Sequence, residues 1–293
     1  MLISRRSFMK SSAFGVTGTM LGLDTLLAAQ EGLADDRIAA CDWSLGAGGP
    51  GGLEIAKASG LDGLEVSVGK PADTLEIAKP EYRQQYKANM PKTGMVIPSL
   101  AMGMLNEAPL ASDPRGPAWL QQSIEAAQDL GAKVILLAFF GKGDLRADGK
   151  LKTKDVDAVV GRLVEAAPAA QKAGVILGIE NTLSAQDNLA ILDRVNSDAV
   201  RVYYDIRNST DNGYDVPAEI KLLADRICQI HFKNGGDYLG EGKMAMDPIG
   251  EAIQSIKYPG WIVLETSCPS KKREADFQRN ADYARRLLKG TPA

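Results

Sequence analysis

The sequence contains very few of the residues from which multi-histidine metal sites and disulfide scaffolds are built. Of its 293 residues, one is histidine and three are cysteine. Cys41, Cys228 and Cys268 are too widely spaced for a CxxC metal pair or a dense disulfide framework. Although Cys41 and Cys268 fall near two strands that should be neighbours, we expect small unpaired core residues there and not a disulfide.

A surplus of positive charge is also missing. Lys plus Arg number 34 and Asp plus Glu number 37, which gives a net charge of −3. This balance argues against a dedicated nucleic-acid binder, so we expect no nucleic-acid partner. With 45% hydrophobic and 24% charged residues, the composition is that of a globular chain with a large core. The length suits one α/β barrel, which typically has about 250 residues.

Long apolar runs are absent beyond residue 34, so no later segment is predicted to span a bilayer. The N-terminus differs from the rest of the chain. Arg5-Arg6 precedes Phe8 and Lys10, and a weakly apolar stretch follows. This pattern is typical of a bacterial twin-arginine (Tat) export signal. We therefore predict that residues 1–34 are a Tat signal peptide and that the Tat export machinery is a partner.

Export has consequences for location and substrate. Cleavage is expected after Ala29 or Ala34, and an uncleaved membrane anchor is the alternative. The Tat route carries proteins that have already folded, often with a cofactor in place. We therefore expect a periplasmic or otherwise extracytoplasmic protein without a membrane span after cleavage, which acts on an uncharged molecule. A homo-oligomer is possible, and the sequence does not decide whether the protein forms one.

After residue 34 the sequence alternates short apolar runs with longer amphipathic stretches. Near-continuous apolar runs are typical of parallel strands that are buried on both faces. The predicted strands are Ile38–Trp43, Gly63–Val68, Val96–Ala101, Val134–Phe139, Val175–Glu180, Arg201–Asp205, Ile227–His231 and Trp261–Glu265.

Helices are predicted between these strands. Gly60, Gly131 and Gly174 fit the ends of helices that lead into the next strand. The clearest helices are Trp119–Leu130, Val156–Ala173, Leu189–Val195, Ala218–Ala224, Pro248–Ile256 and Glu274–Leu288. The pattern predicts the α/β class and a single-domain (β/α)8 TIM barrel over residues 35–293. An open doubly wound sheet is the alternative, but no G-x-G-x-x-G motif follows the first strand.

Polar side chains stand at the ends of the last four predicted strands. Glu180, Asp205, His231 and Glu265 each follow an apolar run and are spaced by about one strand–helix unit. The carboxyl ends of barrel strands meet at one mouth. Three carboxylates converging with one imidazole would repel each other without a cation. We therefore predict one bound divalent metal ion, with Mn²⁺ favoured and Mg²⁺, Co²⁺ or Zn²⁺ as alternatives.

These four residues resemble the Glu-Asp-His-Glu metal set of the xylose isomerase-like TIM barrels, the sugar phosphate isomerase/epimerase superfamily. The resemblance extends from about Arg37 to Leu288 and includes the C-terminal segments His231–Asn234, Leu239–Gly242 and Tyr258–Glu265. It implies a metal-dependent sugar isomerase or epimerase that removes a proton next to a carbonyl. In the ketose 3-epimerases of this family both metal-binding glutamates also move protons, which implies catalytic roles for Glu180 and Glu265.

The sequence departs from the ketose epimerases at three positions. Asn208 stands where they often have a second histidine, and Asp237 stands where they tend to have an arginine. Lys233 is more similar to the His-x-Lys of the dehydratase-like branches. A 3-keto-glycoside or inosose lyase acting by β-elimination is therefore an alternative, as is a non-catalytic sugar-binding protein. A relative of the endonuclease IV branch is disfavoured, because that branch needs several histidines.

Four residues are predicted to bind a small carbohydrate substrate. Glu65, near the end of the second strand, would hold a sugar hydroxyl, Lys233 would hold a hydroxyl or stabilise an oxyanion, and Asn208 would be a further substrate contact. Trp43 would stack on a sugar ring. The alternatives are a solvated strand end for Glu65, a salt bridge within a loop for Lys233 and a core aromatic for Trp43.

Overall fold

Eight parallel strands close into a barrel in the computed structural model, which describes residues 37–290. Each strand pairs with its neighbours in sequence, and β1 also pairs with β8, where Ala39 lies opposite Val263. The strands are β1 (Ile38–Cys41), β2 (Gly63–Ser67), β3 (Ser99–Met102), β4 (Val134–Ala138), β5 (Ile176–Glu180), β6 (Val200–Asp205), β7 (Ile227–Phe232) and β8 (Ile262–Leu264).

One main helix follows each strand. These helices are α1 (Gly52–Ala58), α2 (Pro80–Thr93), α3 (Gly116–Leu130), α4 (Thr153–Ala173), α5 (Ala185–Val195), α6 (Val216–Leu223), α7 (Met246–Ser255) and α8 (Arg273–Leu288). Two short helices, Asp42–Leu45 and Ile206–Asp211, begin directly after β1 and β6. A small antiparallel pair, Arg146–Ala147 with Lys150–Leu151, lies between β4 and α4.

Buried apolar strands form the core of the barrel. All five residues of β4 are buried, as the near-continuous apolar sequence of that strand predicts. Trp119 of α3 is fully buried, and its indole N–H donates to the backbone oxygen of Ala72 at 2.7 Å. Burying a tryptophan in this way removes a large apolar surface from water while its one polar group keeps a partner.

Two helix ends show why glycine was a useful boundary signal. Gly131 and Gly174 follow α3 and α4 with φ angles of 78° and 66°, in the left-handed region that glycine adopts without a Cβ penalty. The predicted helix ends at these two glycines are confirmed.

The predicted (β/α)8 architecture is confirmed, and the closure of β1 onto β8 excludes the open sheet. The sequence analysis predicts helices between all the strands but gives no bounds for two of them, α1 and α2. In α2 only Tyr86 and Thr93 are buried, so this helix has no apolar stripe for a periodicity argument to detect. The third strand begins at Ser99 and not at Val96, and Pro98, which precedes it, has no N–H to donate to a strand ladder.

The predicted export signal lies outside the described residues, as do its two cleavage points. Within residues 37–290, no helix is long and apolar enough to cross a membrane. Cys41, Cys228 and Cys268 are all free, in agreement with the prediction that Cys41 and Cys268 do not pair.

Candidate active site

The four predicted metal ligands meet at one end of the barrel. Glu180 and Asp205 are the last residues of β5 and β6, His231 is the penultimate residue of β7, and Glu265 directly follows β8. One potential ligand atom from each of them lies within 4.8 Å of the others. The parallel direction of the strands therefore brings together side chains that are separated by 85 residues of sequence, from 180 to 265.

His231 lies at the centre of this cluster, and its Nδ1 atom faces the three carboxylates. Nδ1 is 2.9 Å from Glu180 Oε1, 3.6 Å from Glu265 Oε2 and 3.8 Å from Asp205 Oδ2. The imidazole is fully buried. One nitrogen and three carboxylate oxygens in this arrangement form a donor set that suits a divalent cation.

Asp205 gives a direct test of whether a cation fits. Its Oδ1 atom accepts from the backbone N–H groups of Arg207 and Asn208, at 2.7 Å and 2.8 Å, and so caps the helix Ile206–Asp211. Its Oδ2 atom is buried and has no hydrogen-bond partner. A buried carboxylate oxygen without a partner is costly, and a cation within the cluster would satisfy it. The residues present therefore fit a bound metal ion.

Burial and mutual repulsion shift the ionisation of the cluster. Burial, with the nearby Glu180 carboxylate, raises the pKa of Asp205 to about 7. Burial also raises the pKa of Glu180 above its usual range. Burial also acts to raise the pKa of Glu265. There the nearby His231 and the Lys233 ammonium outweigh burial and hold the pKa of Glu265 below its usual range.

Glu265 is held by two donors from opposite sides. Lys233 Nζ donates to its Oε2 atom at 2.9 Å, and the Trp43 indole N–H donates to its Oε1 atom at 3.2 Å. Trp43 is 43% exposed, so the core position considered for it is excluded and its ring remains accessible to a ligand. Lys233 forms the salt bridge that was the alternative for this lysine, and the residue that it pairs with belongs to the metal cluster.

A cavity of about 740 Å³ lies against the cluster. Such a volume is within the range of about 300–1,000 Å³ that is usual for small-molecule sites. One side of the cavity follows β5–β8 and carries Glu180, Asn208, Lys233 and Glu265. The part of the cavity that follows β2–β4 carries six apolar residues, Pro71, Ala101, Met104, Leu136, Ala138 and Phe140, together with several polar ones.

Glu65 does not line this cavity, and the expectation that it binds a sugar hydroxyl is wrong. Its side chain is fully buried inside the barrel, where one carboxylate oxygen lies 3.0 Å from His231 Nε2. Glu65 is the third residue of the five in β2, so it stands below the mouth and not at it. The alternative of a solvated strand end is wrong for the same reason. The other three predicted substrate-binding residues, Trp43, Asn208 and Lys233, all line the cavity.

The sequence analysis missed several polar residues of the cavity wall. Ser67, Lys70, Asn106 and Glu107 line it from the ends of β2 and β3. Lys70, Asn106 and Glu107 follow the second and third predicted strands, so their position after a strand is the signal that could have identified them. The buried Asp42 supports this wall, because its carboxylate accepts from both the backbone N–H and the hydroxyl of Ser67.

Comparison with known proteins agrees with this fold. Residues 53–287 match the family described as "Xylose isomerase-like TIM barrel". The chain is similar to a 2-epi-5-epi-valiolone 7-phosphate 2-epimerase from Actinoplanes sp., with 27% identity over 203 residues, 68% of this chain and 73% of that protein.

Two solved structures are similar as well. The structure of an L-ribulose 3-epimerase superposes with a TM-score of 0.71 and 19% identity, covering 87% of this chain and 95% of that one. The 3-keto-D-glucoside 4-epimerase of Escherichia coli superposes with a TM-score of 0.68 and 15% identity, covering 87% and 99%. At these identities the likeness establishes the fold.

Proposed function

Because the chain belongs to the xylose isomerase-like TIM barrel family, we propose that it is a metal-dependent epimerase or isomerase of a carbohydrate or keto-sugar. One observation carries the proposal. Glu180 and Glu265 both belong to the metal-ligand cluster and both line the cavity. Two carboxylates placed in this way can remove a proton next to a carbonyl and return it.

The metal ion proposed for the site is Mn²⁺, held by Glu180, Asp205, His231 and Glu265. Hard oxygen ligands with a single nitrogen favour Mn²⁺ or Mg²⁺, and Co²⁺ or Zn²⁺ also accept such ligands. When bound, a divalent cation polarises a substrate carbonyl and so acidifies the neighbouring C–H.

The two glutamates differ in environment, and this difference suggests how they divide the proton transfers. Lys233 and Trp43 donate to Glu265, which favours its ionised form and suits it to accept the first proton. Glu180 Oε1 lies 2.9 Å from His231 Nδ1, and Glu180 also lines the cavity, so we assign it the second transfer, the return of the proton. Lys233 also reaches the cavity, where its ammonium can hold a substrate oxygen.

Names of similar proteins support epimerisation as the first candidate. The Actinoplanes relative is named as a 2-epimerase and the two similar structures as a 3-epimerase and a 4-epimerase. A lyase that acts on a 3-keto-glycoside or inosose by β-elimination is the second candidate. Lys233 favours it, because an ammonium beside the proton-removing carboxylate can also assist a leaving oxygen. Both candidates begin with the same proton removal, after which an epimerase returns a proton to carbon and a lyase expels the leaving oxygen.

Solvent isotope incorporation is the test of this proposal. We expect that Mn²⁺-loaded protein, incubated in D₂O with free ketoses, inososes and 3-keto-glycosides, places deuterium on the carbon next to the carbonyl of its substrate. Proton NMR and mass spectrometry would locate the label and identify the product as an epimer or as an unsaturated elimination product. Binding of a sugar without any turnover or exchange would instead indicate the non-catalytic sugar-binding protein. Turnover without deuterium would indicate an internal hydride shift.

We further propose that the protein is exported by the Tat pathway to the periplasm or beyond. The motivation is Arg5-Arg6 with Phe8 and Lys10 near the N-terminus. Replacing Arg5 and Arg6 together by lysine keeps the charge, and we expect it to leave the full-length precursor in the cytoplasm. Cell fractionation and immunoblotting would measure this, with the unchanged chain in a Tat-deficient strain as the control. Export of the double variant at the normal level would contradict the proposal. The formation of a homo-oligomer by this protein also remains a prediction.

A further inference from the structure

A buried carboxylate lies beneath the metal cluster, on the opposite side of His231 from the three acidic ligands. Glu65 of β2 reaches across the interior of the barrel, and its Oε1 atom is 3.0 Å from His231 Nε2. The carboxylate and the imidazole are both fully buried. The single histidine of the chain therefore has carboxylates at both ring nitrogens, with Glu65 at Nε2 and the metal cluster at Nδ1.

The hydrogen bonds around Glu65 Oε2 are all donated towards that oxygen. Gln229 Nε2 donates to the hydroxyls of Ser99 and Tyr203, at 2.7 Å and 3.0 Å. Each hydroxyl is thereby an acceptor for the amide and has one hydrogen left to donate. Both hydroxyls lie within reach of Glu65 Oε2, at 2.6 Å from Ser99 and 2.8 Å from Tyr203. Glu65 Oε2 therefore accepts two hydrogen bonds and has no hydrogen of its own.

The second oxygen of Glu65 also faces donors. The Cys41 thiol donates to Oε1 at 3.5 Å and also lies 3.4 Å from His231 Nε2, which is itself 3.0 Å from Oε1. An ionised carboxylate accepts about four hydrogen bonds and donates none. Thus an Nε2–H group completes the set of donors around Glu65, whereas a bare Nε2 would place two acceptors in contact.

The position of Tyr203 in this network depends on a glycine that packs against it. Gly178 of β5 lies beside it, and a Cβ atom there would be 3.1 Å from Tyr203 Cβ and 2.8 Å from Cys228 Sγ. The contact with Cys228 is closer than Cβ atoms tolerate and the contact with Tyr203 is tight, so a larger residue would force these neighbours to move. A side chain at position 178 would therefore displace Tyr203 or Cys228 from the positions that they hold here.

We propose that Glu65 is a positioning residue that holds His231 as the Nε2–H tautomer and so presents the lone pair of Nδ1 to the metal ion. This inference rests on the metal site of the proposed function. The partner of a metal-binding imidazole fixes its tautomer and ring orientation and raises its basicity as a ligand. Glu65 has no contact with the cavity, so its effect on the reaction passes entirely through His231.

The composition of the chain allows a direct spectroscopic test. His231 is the only histidine, so protein labelled with ¹⁵N-histidine and purified without a histidine tag has one imidazole. We expect long-range ¹H–¹⁵N spectra of the Zn²⁺- or Mg²⁺-loaded protein, which is diamagnetic, to show a hydrogen on Nε2 and none on Nδ1. A hydrogen on Nδ1 in the metal-loaded protein would overturn the proposal, without any variant being made.

Glu65→Gln provides the second measurement. Glutamine keeps the size of the side chain but is a weaker acceptor, so we expect the dissociation constant for Mn²⁺ to rise by about 10–100-fold. Glu219→Gln is the matched control, because Glu219 is also buried and accepts from Ala185 N and the Tyr204 hydroxyl. We expect that control to keep the wild-type affinity in equilibrium dialysis. Equal Mn²⁺ affinity of folded Glu65→Gln and wild type would overturn the positioning role.

Failure of this inference differs from failure of the proposed function. A wild-type protein that binds Mn²⁺ and has the Nε2–H tautomer but causes no proton exchange in any sugar would overturn the function and leave the role of Glu65 intact. An active enzyme whose Mn²⁺ affinity is unchanged by Glu65→Gln would do the reverse. A wild-type protein that binds no divalent metal would overturn both the metal site and this inference.

Discussion

The Glu265→Gln variant is expected to lose about 10²–10⁴-fold in kcat, the usual cost of removing a general acid–base group. Glutamine keeps the shape of the side chain and one oxygen for the metal ion, but it cannot take up a proton at neutral pH. The hydrogen bonds from Lys233 and Trp43, at 2.9 Å and 3.2 Å, now hold a carboxylate in place. In the variant one of them must face an amide NH₂ group, which adds to the loss.

Glu180→Gln is expected to cost a comparable factor for the same reason. The measurement is kcat and KM on the substrate identified by deuterium incorporation, together with metal content, so that a loss of chemistry is separated from a loss of metal. Glu219→Gln again serves as the control, since it replaces a buried carboxylate away from the cluster. If either active-site variant retained full kcat with bound metal, that glutamate would be only a ligand.

Removing the imidazole is expected to have the largest effect on metal binding. His231→Ala deletes the single nitrogen ligand and leaves three carboxylates whose oxygens remain close together. We expect the affinity for Mn²⁺ to fall by more than the factor of about 10–100 that is typical of losing a residue that only orients a ligand. Elemental analysis after dialysis against Mn²⁺-containing buffer would measure the occupancy.

The choice of control decides how a loss of metal is interpreted. His231→Ala also removes the partner of Glu65, so unfolding must be excluded by circular dichroism. Glu65→Gln should fall between wild type and His231→Ala, since it weakens the position of the imidazole without removing it. If folded His231→Ala kept full metal occupancy, the proposed metal site would be contradicted.

The strand-end residues were predictable because one rule of topology covers them. In a parallel barrel the carboxyl ends of all strands share a face, so Glu180, Asp205 and Glu265 needed only correct strand ends to be placed together. The rule failed at Glu65. The distance of a residue from the end of its strand decides whether its side chain lies at the mouth or inside the barrel, and Glu65 lies two residues before the end of β2. An error of two residues in that distance changes the role of the side chain.

The remaining parts of the site depend on contacts between distant segments. Tyr203 bonds to Glu65 across 138 residues of sequence, and Gln229 bonds to Ser99 across 130, and nothing in the local sequence indicates either pairing. The apolar wall is equally hidden, since apolar residues near strand ends also occur in ordinary cores. The bounds of helix α2 were not predictable, because few of its residues are buried and it therefore has no apolar periodicity.

The cavity has the proposed metal ligands on one side of the ring of strands and apolar residues that can contact a substrate on the other. In the proposed function, proton transfer and metal binding depend on side chains from the ends of β5–β8, while Ala101, Met104, Leu136 and Phe140 from β3, β4 and the segments after them form apolar parts of the far wall. We expect changes in that wall to alter which substituents a bound sugar can carry while the metal ligands keep their positions. An evolving lineage can therefore exchange substrates by substitution in one half of the barrel and inherit its catalytic apparatus from the other.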